Sequence, residues 1–475
     1  MQRQPQPPGQ PEPRSAVPRV VIVGAGFAGH RTARTLSRIL ARKPVEIVLL
    51  NPTDYFLYLP LLPQVAAGIL EPRRVTVSLV HTLPGVRLVL GEATHVDADG
   101  RRVLYTDPEG RQGELAYDRL VLAVGSVNKL LPVPGVSSYA HGFRGMPEAL
   151  YLRDHIIRQT ELATAETDPD VASARNTFVV VGAGYTGTEV AAQGSVFTGE
   201  LCAQTARSQR SRLSTRTSEA SRGAPPRWLL LDIAPRVLPE LDHRLSTTAD
   251  RVLRKRGVEV RTGTSVKEAT ADGVRLDSGE FVATKTLIWC VGVRPDPLVA
   301  DIGLPVERGR LCVTPRLDVP HYPGVFACGD AAAVPDLTRP DSPDAGDGGF
   351  PLTPMTAQHA TRQGVVAANN VAASLGYGEA RPYKHHDMGF AVDLGGAQAA
   401  ANPMGMPLSG PAAGAVTRGY HLAAMPGNRV RVAADWLLDM VLARQGVQLG
   451  LVRSWSVPLD SASPELARFP GASKE

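Results

Sequence analysis

One glycine signature occurs twice in this chain, and it restricts the fold more than any other feature. The first copy is Arg19-Val-Val-Ile-Val-Gly24-Ala-Gly26-Phe27-Ala28-Gly29, and the second is Phe178-Val-Val-Val-Gly182-Ala-Gly184-Tyr185-Thr186-Gly187. In each, a β-branched run reads as a buried strand. The Gly-x-Gly-x-x-Gly turn that follows lets backbone approach a pyrophosphate at the positive end of the next helix. A single glycine triplet is often only a tight turn. Two copies, each between an apolar strand and an Ala-rich helical stretch, predict two bound dinucleotides.

The rest of the composition removes alternatives. With 475 residues and 43% apolar content, the chain is long enough for two or three globular domains. Four cysteines, at 202, 290, 312 and 328, show no Cys-x-x-Cys spacing, so a disulfide scaffold and a metal site both lose support and a reducing compartment is expected. No apolar run reaches the roughly 18 residues that span a bilayer. The formal charge of +5 is concentrated in residues 199–227, whose six arginines face two acids; the remainder holds 45 basic against 44 acidic residues. A nucleic-acid groove needs clustered charge interleaved with aromatics; outside that stretch the charge is nearly balanced and aromatics are scarce, so no nucleic-acid partner is expected.

The order of patterns predicts an α/β fold with two Rossmann-like dinucleotide-binding domains, one inserted in the other. Residues 1–18, rich in Pro and Gln, read as a disordered leader. Residues 19–135 form the first part of the outer domain, 136–295 the inserted domain, 296–380 the second part of the outer domain, and 381–475 a C-terminal α+β region. Glu46 to Leu50 reads as the strand after the first glycine loop. It ends at Asn51, where an acid that binds ribose would ordinarily stand. The Asn51 amide either bonds a ribose hydroxyl or only starts the Asn51-Pro52 turn. After the second loop, residues 203–227 are rich in Ser, Thr and Arg and read as a solvated insertion. Past them, Trp228 to Asp232 supplies the missing strand, and a carboxylate at its tip accepts bonds from an unphosphorylated ribose and repels a 2′-phosphate. That favours NADH over NADPH, although Arg236 nearby softens the preference.

A third signature lies downstream: Thr314-Pro-Arg-Leu-Asp-Val-Pro-His-Tyr-Pro-Gly324-Val-Phe-Ala-Cys-Gly329-Asp330. Together with the two glycine loops and the strand ends Ala123-Val124-Gly125 and Val291-Gly292-Val293, it resembles the flavoprotein pyridine-nucleotide oxidoreductases. The resemblance implies FAD on the first loop, with Ala123, Gly125, Gly329 and Asp330 among its contacts and Asp330 bonding the ribityl chain. It implies NADH on the second loop, with Gly292 beside it.

Within that superfamily, disulfide reductases carry a redox cysteine pair soon after the first ribose-binding strand, and residues 51–68 hold no cysteine. The stretch Asp54-Tyr55-Phe56-Leu57-Tyr58-Leu59-Pro60-Leu61-Leu62-Pro63-Gln64-Val65 instead resembles the matching segment of type II NADH dehydrogenases, the single-subunit NADH:quinone oxidoreductases. In that resemblance Pro60 is a cofactor contact. Thr353 and Pro354 read as the start of a helix carrying Gln358, His359 and Arg362. The family pattern there is Ala-Gln-x-Ala-x-Gln-x-Gly, lining a quinone pocket beneath the flavin. Gln358 matches its first glutamine, whereas Arg362 replaces the second and either bonds a quinone carbonyl or pairs with an acid on the helix surface. His359 stands beside the cofactor in the pattern, yet points to a different face from Gln358 and reads as structural. Glu189 matches a family glutamate near the nicotinamide and flavin rings, with an orienting or proton-coupling role.

The activity implied is NADH oxidation through FAD with two-electron delivery to a quinone, without proton pumping. Residues 428–445 place Ala433, Trp436, Leu437, Met440 and Val441 on one helical face. This face suits peripheral contact with the inner face of the cytoplasmic membrane, or packing in a core or a homodimer. Two other readings stay open: a soluble flavin reductase that uses oxygen, a dye or a protein carrier, and a flavin-containing redox sensor in which residues 203–227 bind a partner.

Overall fold

A strand whose residues are apolar on both faces belongs in the middle of a covered sheet, and Val20, Val21 and Ile22 have no accessible surface at all. The computed structural model describes residues 17–212, 225–340 and 350–452. The chain clusters into two compact units. The first holds residues 17–57, 76–127 and 293–386, and the second holds 58–75, 128–292 and 387–452.

Six helices carry or position the residues singled out above: α1 (Phe27–Ile39), α2 (Leu62–Ala66), α3 (Tyr185–Arg212), α4 (Ala357–Ser374), α5 (Gly410–Ala424) and α6 (Arg429–Val441).

The first unit is built on a five-stranded parallel sheet, in the order Val325–Ala327, Arg119–Leu122, Arg19–Val23, Glu46–Asn51, Val86–Leu90. The second repeats the plan with Ala140–Gly142, Thr286–Trp289, Thr177–Val181, Arg227–Asp232 and Val258–Thr262, again all parallel. In both, the chain leaves the central strand, fills one side of the sheet, and later returns to the other, although in the second unit the outermost strand, Ala140–Gly142, precedes the central one in the chain. The crevice at the carboxyl end of such a central strand is where doubly wound sheets bind ligands. The core of the second unit packs Val179, Val181, Leu229, Leu231, Leu287 and Trp289 together, the inward residues of three neighbouring strands.

Four expectations are corrected. Residues 58–75 do not stay with the first unit, as the range 19–135 required, but cluster with the second. Their partners are distant in sequence: Tyr58 bonds His421 at 3.1 Å, and Arg74 pairs with Asp435 at 2.8 Å. Residues 387–452 likewise join the second unit rather than standing apart. Residues 203–212 are not a solvated loop, because α3 runs on to Arg212; residues 213–224 of the expected insertion lie outside the described residues, as do residues 1–16 of the expected leader. Finally, α4 starts at Ala357 rather than beside Pro354. Thr356 is its cap, in extended conformation, with its hydroxyl accepting the His359 amide at 3.3 Å.

Several histidines are held neutral in the interior. His30, His155 and His421 are buried, and His141 lies with its ring centroid 4.6 Å from Tyr151 and 5.3 Å from His155. Burial lowers His30, His141 and His421 to about 4 and His155 to about 3, with Arg34 and Arg31 adding to the effect at His30. Between these values and the unfolded value of 6.5, the unfolded chain binds more protons than the folded one, so stability rises with pH through this window. Acidification from pH 7 to pH 5 should therefore lower the melting temperature reversibly, by on the order of 5 °C, as read by thermal denaturation. A flat profile over that range contradicts the burial of these rings as neutral groups.

Candidate functional site

In the first unit the glycine loop has the geometry of a pyrophosphate cradle. Gly24 has φ +93°, and its amide bonds the Leu50 carbonyl at 2.9 Å. A Cβ at Gly24 would strike the Ala123 carbonyl, and one at Gly29 would strike the Gly24 carbonyl. At Gly26 a Cβ would meet nothing within 4 Å. The first and third glycines therefore close the turn and seat α1, while the second faces open space at the helix start, where a phosphate would lie. Phe27 opens α1 and meets Phe56 edge-on at 5.0 Å, and Ala28 is buried.

Asn51 ends the neighbouring strand. Its Oδ1 accepts the Ala25 amide at 2.8 Å, and its Nδ2 donates to the Thr53 carbonyl and hydroxyl at 2.9 and 3.1 Å. Both amide protons are thus spent within its own turn, and a ribose hydroxyl is left only the second lone pair of Oδ1. The Gly125 carbonyl, at φ +80°, accepts the Asp296 amide at 3.2 Å. Asp330 accepts the Ser126 hydroxyl at 2.6 Å. Gly329 before it has φ +73°, and its amide donates to Gln363 Oε1 at 2.8 Å; Gln363 Nε2 in turn reaches Thr353 Oγ1 at 3.0 Å. Thr353, expected as a helix cap, is instead a buried anchor for this loop. Arg310 is buried with it, donating to the Thr353 carbonyl at 2.9 Å and the Ala332 carbonyl at 2.8 Å. Gly364 lets α4 lie against α1, since a Cβ there would strike the Ala28 carbonyl.

On α4, Arg362 donates to Gln358 Oε1 at 2.9 Å, one turn away, and also to the His386 carbonyl. The acid partner considered for Arg362 is not found among the described residues; side-chain amide, imidazole and carbonyl take its place. His359 is buried and bonds Tyr383 at 2.9 Å, consistent with a place on a different face from Gln358.

The second unit repeats the cradle. Gly182 has φ +103°; a Cβ there would strike the Cys290 carbonyl, one at Gly187 would strike the Gly182 carbonyl, and one at Gly184 would meet nothing within 4 Å. Tyr185 and Thr186 open α3, Tyr185 half-buried with its phenol held protonated by burial and Thr186 exposed. Asp232 takes the position of Asn51, accepting the Ala183 amide at 2.5 Å and the Ala234 amide at 2.7 Å. Each carboxylate oxygen keeps a lone pair for a ribose hydroxyl. Gly292, at φ +98°, stands at the end of the adjacent strand with open space above it. Pro60 lies in this unit, in a short turn of helix at Leu59–Leu61.

Glu189, one turn into α3, meets a carboxylate that sequence reading missed. The Asp393 amide donates to Glu189 Oε1 at 2.9 Å, while the Asp393 side chain accepts Gln64 Nε2 at 2.7 Å and the Gly395 amide at 2.8 Å. Gln64 on α2 is itself oriented by Trp436 on α6, whose indole N–H reaches Gln64 Oε1 at 2.6 Å. Burial, with the nearby Asp393 charge, raises Glu189 well above the ordinary glutamate range. Burial raises Asp393 too, against bonds from Gly395 and Gln64 and the cations Arg418 and Arg256. The shift favours the neutral acid, which would add an O–H donor to this polar cluster. No local motif surrounds Asp393, and the signal for it was absent because its partners come from α2 and α3.

The thiols have no such role. Burial raises Cys328 to about 12 and Cys290 further, and all four cysteines are unpaired.

With this geometry in place, the comparisons are decisive about kinship. Residues 18–364 match the family model described as pyridine nucleotide-disulphide oxidoreductase. The chain belongs to this family. Among its relatives, the type II NADH:quinone oxidoreductase Ndh of Mycobacterium tuberculosis is 29% identical over 457 residues, covering 92% of each chain. A second from the same organism, the type II NADH:quinone oxidoreductase NdhA, is 33% identical over 342 residues, covering 69% of each. The solved structure of NDH2 from Plasmodium falciparum in complex with NADH shares the fold, with a TM-score of 0.78 at 17% identity, covering 90% of this chain and 99% of that one. The chain is thus a family member without the dithiol for which the family is named.

The free space at Gly26 yields a clean test. Gly26→Val should leave the fold and melting temperature nearly unchanged yet give a protein purified without bound dinucleotide, as seen in its visible spectrum. Gly29→Ala, which drives a methyl into backbone, should instead lower stability by several kcal/mol, in the upper range for single substitutions. A Gly26→Val protein that keeps its cofactor contradicts the assignment of the cradle.

Proposed function

We propose that this protein is a non-pumping NADH:quinone oxidoreductase that holds FAD on the first unit and NADH on the second. The observation that carries the reading is the pair of matching cradles with different strand tips, Asn51 in one and Asp232 in the other. An amide suits a cofactor held permanently by many other contacts. A carboxylate suits a ribose that exchanges each turnover and must lack a 2′-phosphate.

FAD, when bound, supplies the chemistry: it accepts a hydride from NADH and passes two electrons to the quinone. The protein's residues bind, orient and move protons. Gly24, Gly26, Gly29 and the start of α1 would hold the pyrophosphate, and Asp330 would take the ribityl chain, oriented by Ser126. The matching loop from Gly182 to Gly187 and Asp232 would hold NADH. Glu189, its carboxyl shifted toward the neutral acid by burial and the nearby Asp393 charge, would orient the nicotinamide end and take up a proton there. Gln358 and Arg362 would hold the quinone oxygens, the arginine stabilising negative charge as it develops there.

Peripheral membrane contact is part of the proposal. Among the described residues no helix is long and apolar enough to cross a membrane. On α6, however, Leu437, Leu438, Met440 and Val441 are exposed by 51–71%, and Val416 and Tyr420 on α5 by 40% and 43%. The side of α6 that faces inward carries Val432, Asp435 and Trp436, all buried. This corrects the expected face, since Trp436 is drawn inward by its bond to Gln64 and Leu438 takes its place outside. Such a concentration of exposed apolar side chains suits a lipid surface, which is also where a quinone is found. A position on the inner face of the cytoplasmic membrane follows from the need for cytosolic NADH.

Two experiments bear on this. Asp232→Ala should weaken NADH binding about tenfold and narrow its preference over NADPH, measured as two dissociation constants; an unchanged ratio contradicts the ribose role. The double variant Leu438→Asp with Met440→Asp should abolish cosedimentation with lipid vesicles while leaving NADH:ferricyanide turnover intact. Retained vesicle binding removes the membrane surface, and a shift from dimer to monomer without loss of vesicle binding assigns the patch to a second copy of the chain.

A further inference from the structure

On the first unit, three ionisable side chains that the proposed chemistry does not use form a connected chain beside Gln358. The Tyr383 hydroxyl lies 2.9 Å from His359 Nδ1 and 3.1 Å from His385 Nδ1, and the two imidazoles stack with centroids 3.8 Å apart and planes 17° off parallel. A phenol has one proton to donate, so Tyr383 gives it to one histidine and accepts from the other. Exposure falls along the series: His386 is exposed, His385 half-buried, and Tyr383 and His359 are buried. The set therefore runs from the surface into the first turn of α4, where Arg362 stands 3.4 Å from His385 Nδ1 and bonds Gln358 Oε1 at 2.9 Å.

The segment is held rigidly. The Tyr383 amide bonds the Pro315 carbonyl at 2.7 Å, and Asn370 on α4 brackets Arg381 by bonding both its amide, at 2.8 Å, and its carbonyl, at 2.9 Å. Arg362 completes the frame. It bonds the His386 carbonyl and stands 3.4 Å from His385 Nδ1. A cation so close disfavours a second positive charge on that ring, so a proton reaching His385 is passed on and not trapped. Burial keeps the Tyr383 phenol protonated, and a neutral hydroxyl can receive and release in one step.

We propose that His385, Tyr383 and His359 form a proton relay that carries the one proton each turnover draws from water to the acceptor held at Gln358 and Arg362. The inference rests on the quinone-reductase reading. NADH brings two electrons and one hydrogen nucleus, whereas a quinol carries two electrons and two, so one proton comes from solution. It enters at His385 Nε2. In the tautomer with Nδ1 protonated, in which Arg362 keeps its bonds to Gln358 and the His386 carbonyl, the His385 Nδ1 proton passes to the Tyr383 oxygen, the Tyr383 hydroxyl proton passes to His359 Nδ1, and a proton leaves from His359 Nε2. Each group ends with the proton count it began with, the imidazoles exchange tautomers, and no electron moves through the relay.

The test compares an acceptor that takes up protons with one that does not. In the full-length flavoprotein, Tyr383→Phe keeps the ring and removes only the hydroxyl. It should slow turnover with a water-soluble quinone about tenfold or more, with KM for quinone changed less than about twofold, and raise the solvent deuterium isotope effect on that turnover. Turnover with ferricyanide, the rate at which NADH bleaches the flavin, flavin content and melting temperature should all stay as in the parent. His385→Gln, at the half-exposed end, should give the same split and covers the case in which the buried variant does not fold. Quinone turnover that is unaffected, or quinone and ferricyanide turnover that fall together, overturns the relay. A parent protein that reduces ferricyanide but no quinone fails at an earlier point: it removes the acceptor reading itself, before any variant is compared.

Discussion

Both cradles keep their shape through one hydrogen bond, made by the side-chain oxygen at the tip of the second strand to the amide just past the first loop glycine. Asn51 holds Ala25 at 2.8 Å, and Asp232 holds Ala183 at 2.5 Å. Without it, the turn would leave a backbone amide unpaired at the start of a helix, where free N–H groups are already in excess. With it, the loop is fixed before any ligand arrives, and the second glycine faces clear space. The same bond ties the ribose-reading residue to the phosphate-binding loop, so the two ends of an adenosine diphosphate are recognised by one rigid feature.

The second unit depends further on a clamp that closes across nearly the whole length of the chain. Residues 58–75 are joined to the C-terminal helices by Tyr58 with His421, Gln64 with Trp436, and Arg74 with Asp435. Each pair is buried or half-buried, where a satisfied polar contact specifies one arrangement and a broken one leaves a costly orphan. Gln64 is the junction, since its other end bonds Asp393, whose amide bonds Glu189. Docking of α6 is thereby coupled, through two side chains, to the carboxyl proposed to act at the nicotinamide. The exposed apolar residues of α6 sit on the same helix that anchors this chain of contacts.

Much of this was legible in the sequence because it is local. The glycine loops, the strands leading into them, Asp232 at its strand tip and the Gly329-Asp330 turn are all encoded by contiguous residues, and the structure puts each on the element expected. What sequence reading missed is long-range. Asp393 has no motif of its own, and it becomes notable only when the strand end carrying it meets Glu189. Trp436 was grouped on one face with Leu437, Met440 and Val441 because period alone cannot tell which apolar side chain finds a buried acceptor. Pro354 suggested a helix start, yet Thr356 caps α4 because Thr353 is taken by Gln363 and Arg310. Residues 203–212 read as loop from their Ser, Thr and Arg content, but a helix already running from Tyr185 extends through them.

The central claim is that one protein carries electrons from NADH through a bound flavin to a quinone. An anaerobic titration of the purified protein, followed through its yellow flavin band, tests it most directly. One equivalent of NADH should bleach the band, and one equivalent of a quinone should restore it. A colourless protein that takes up no FAD, a band that NADH leaves intact, or a bleached band that quinone cannot restore would contradict the account.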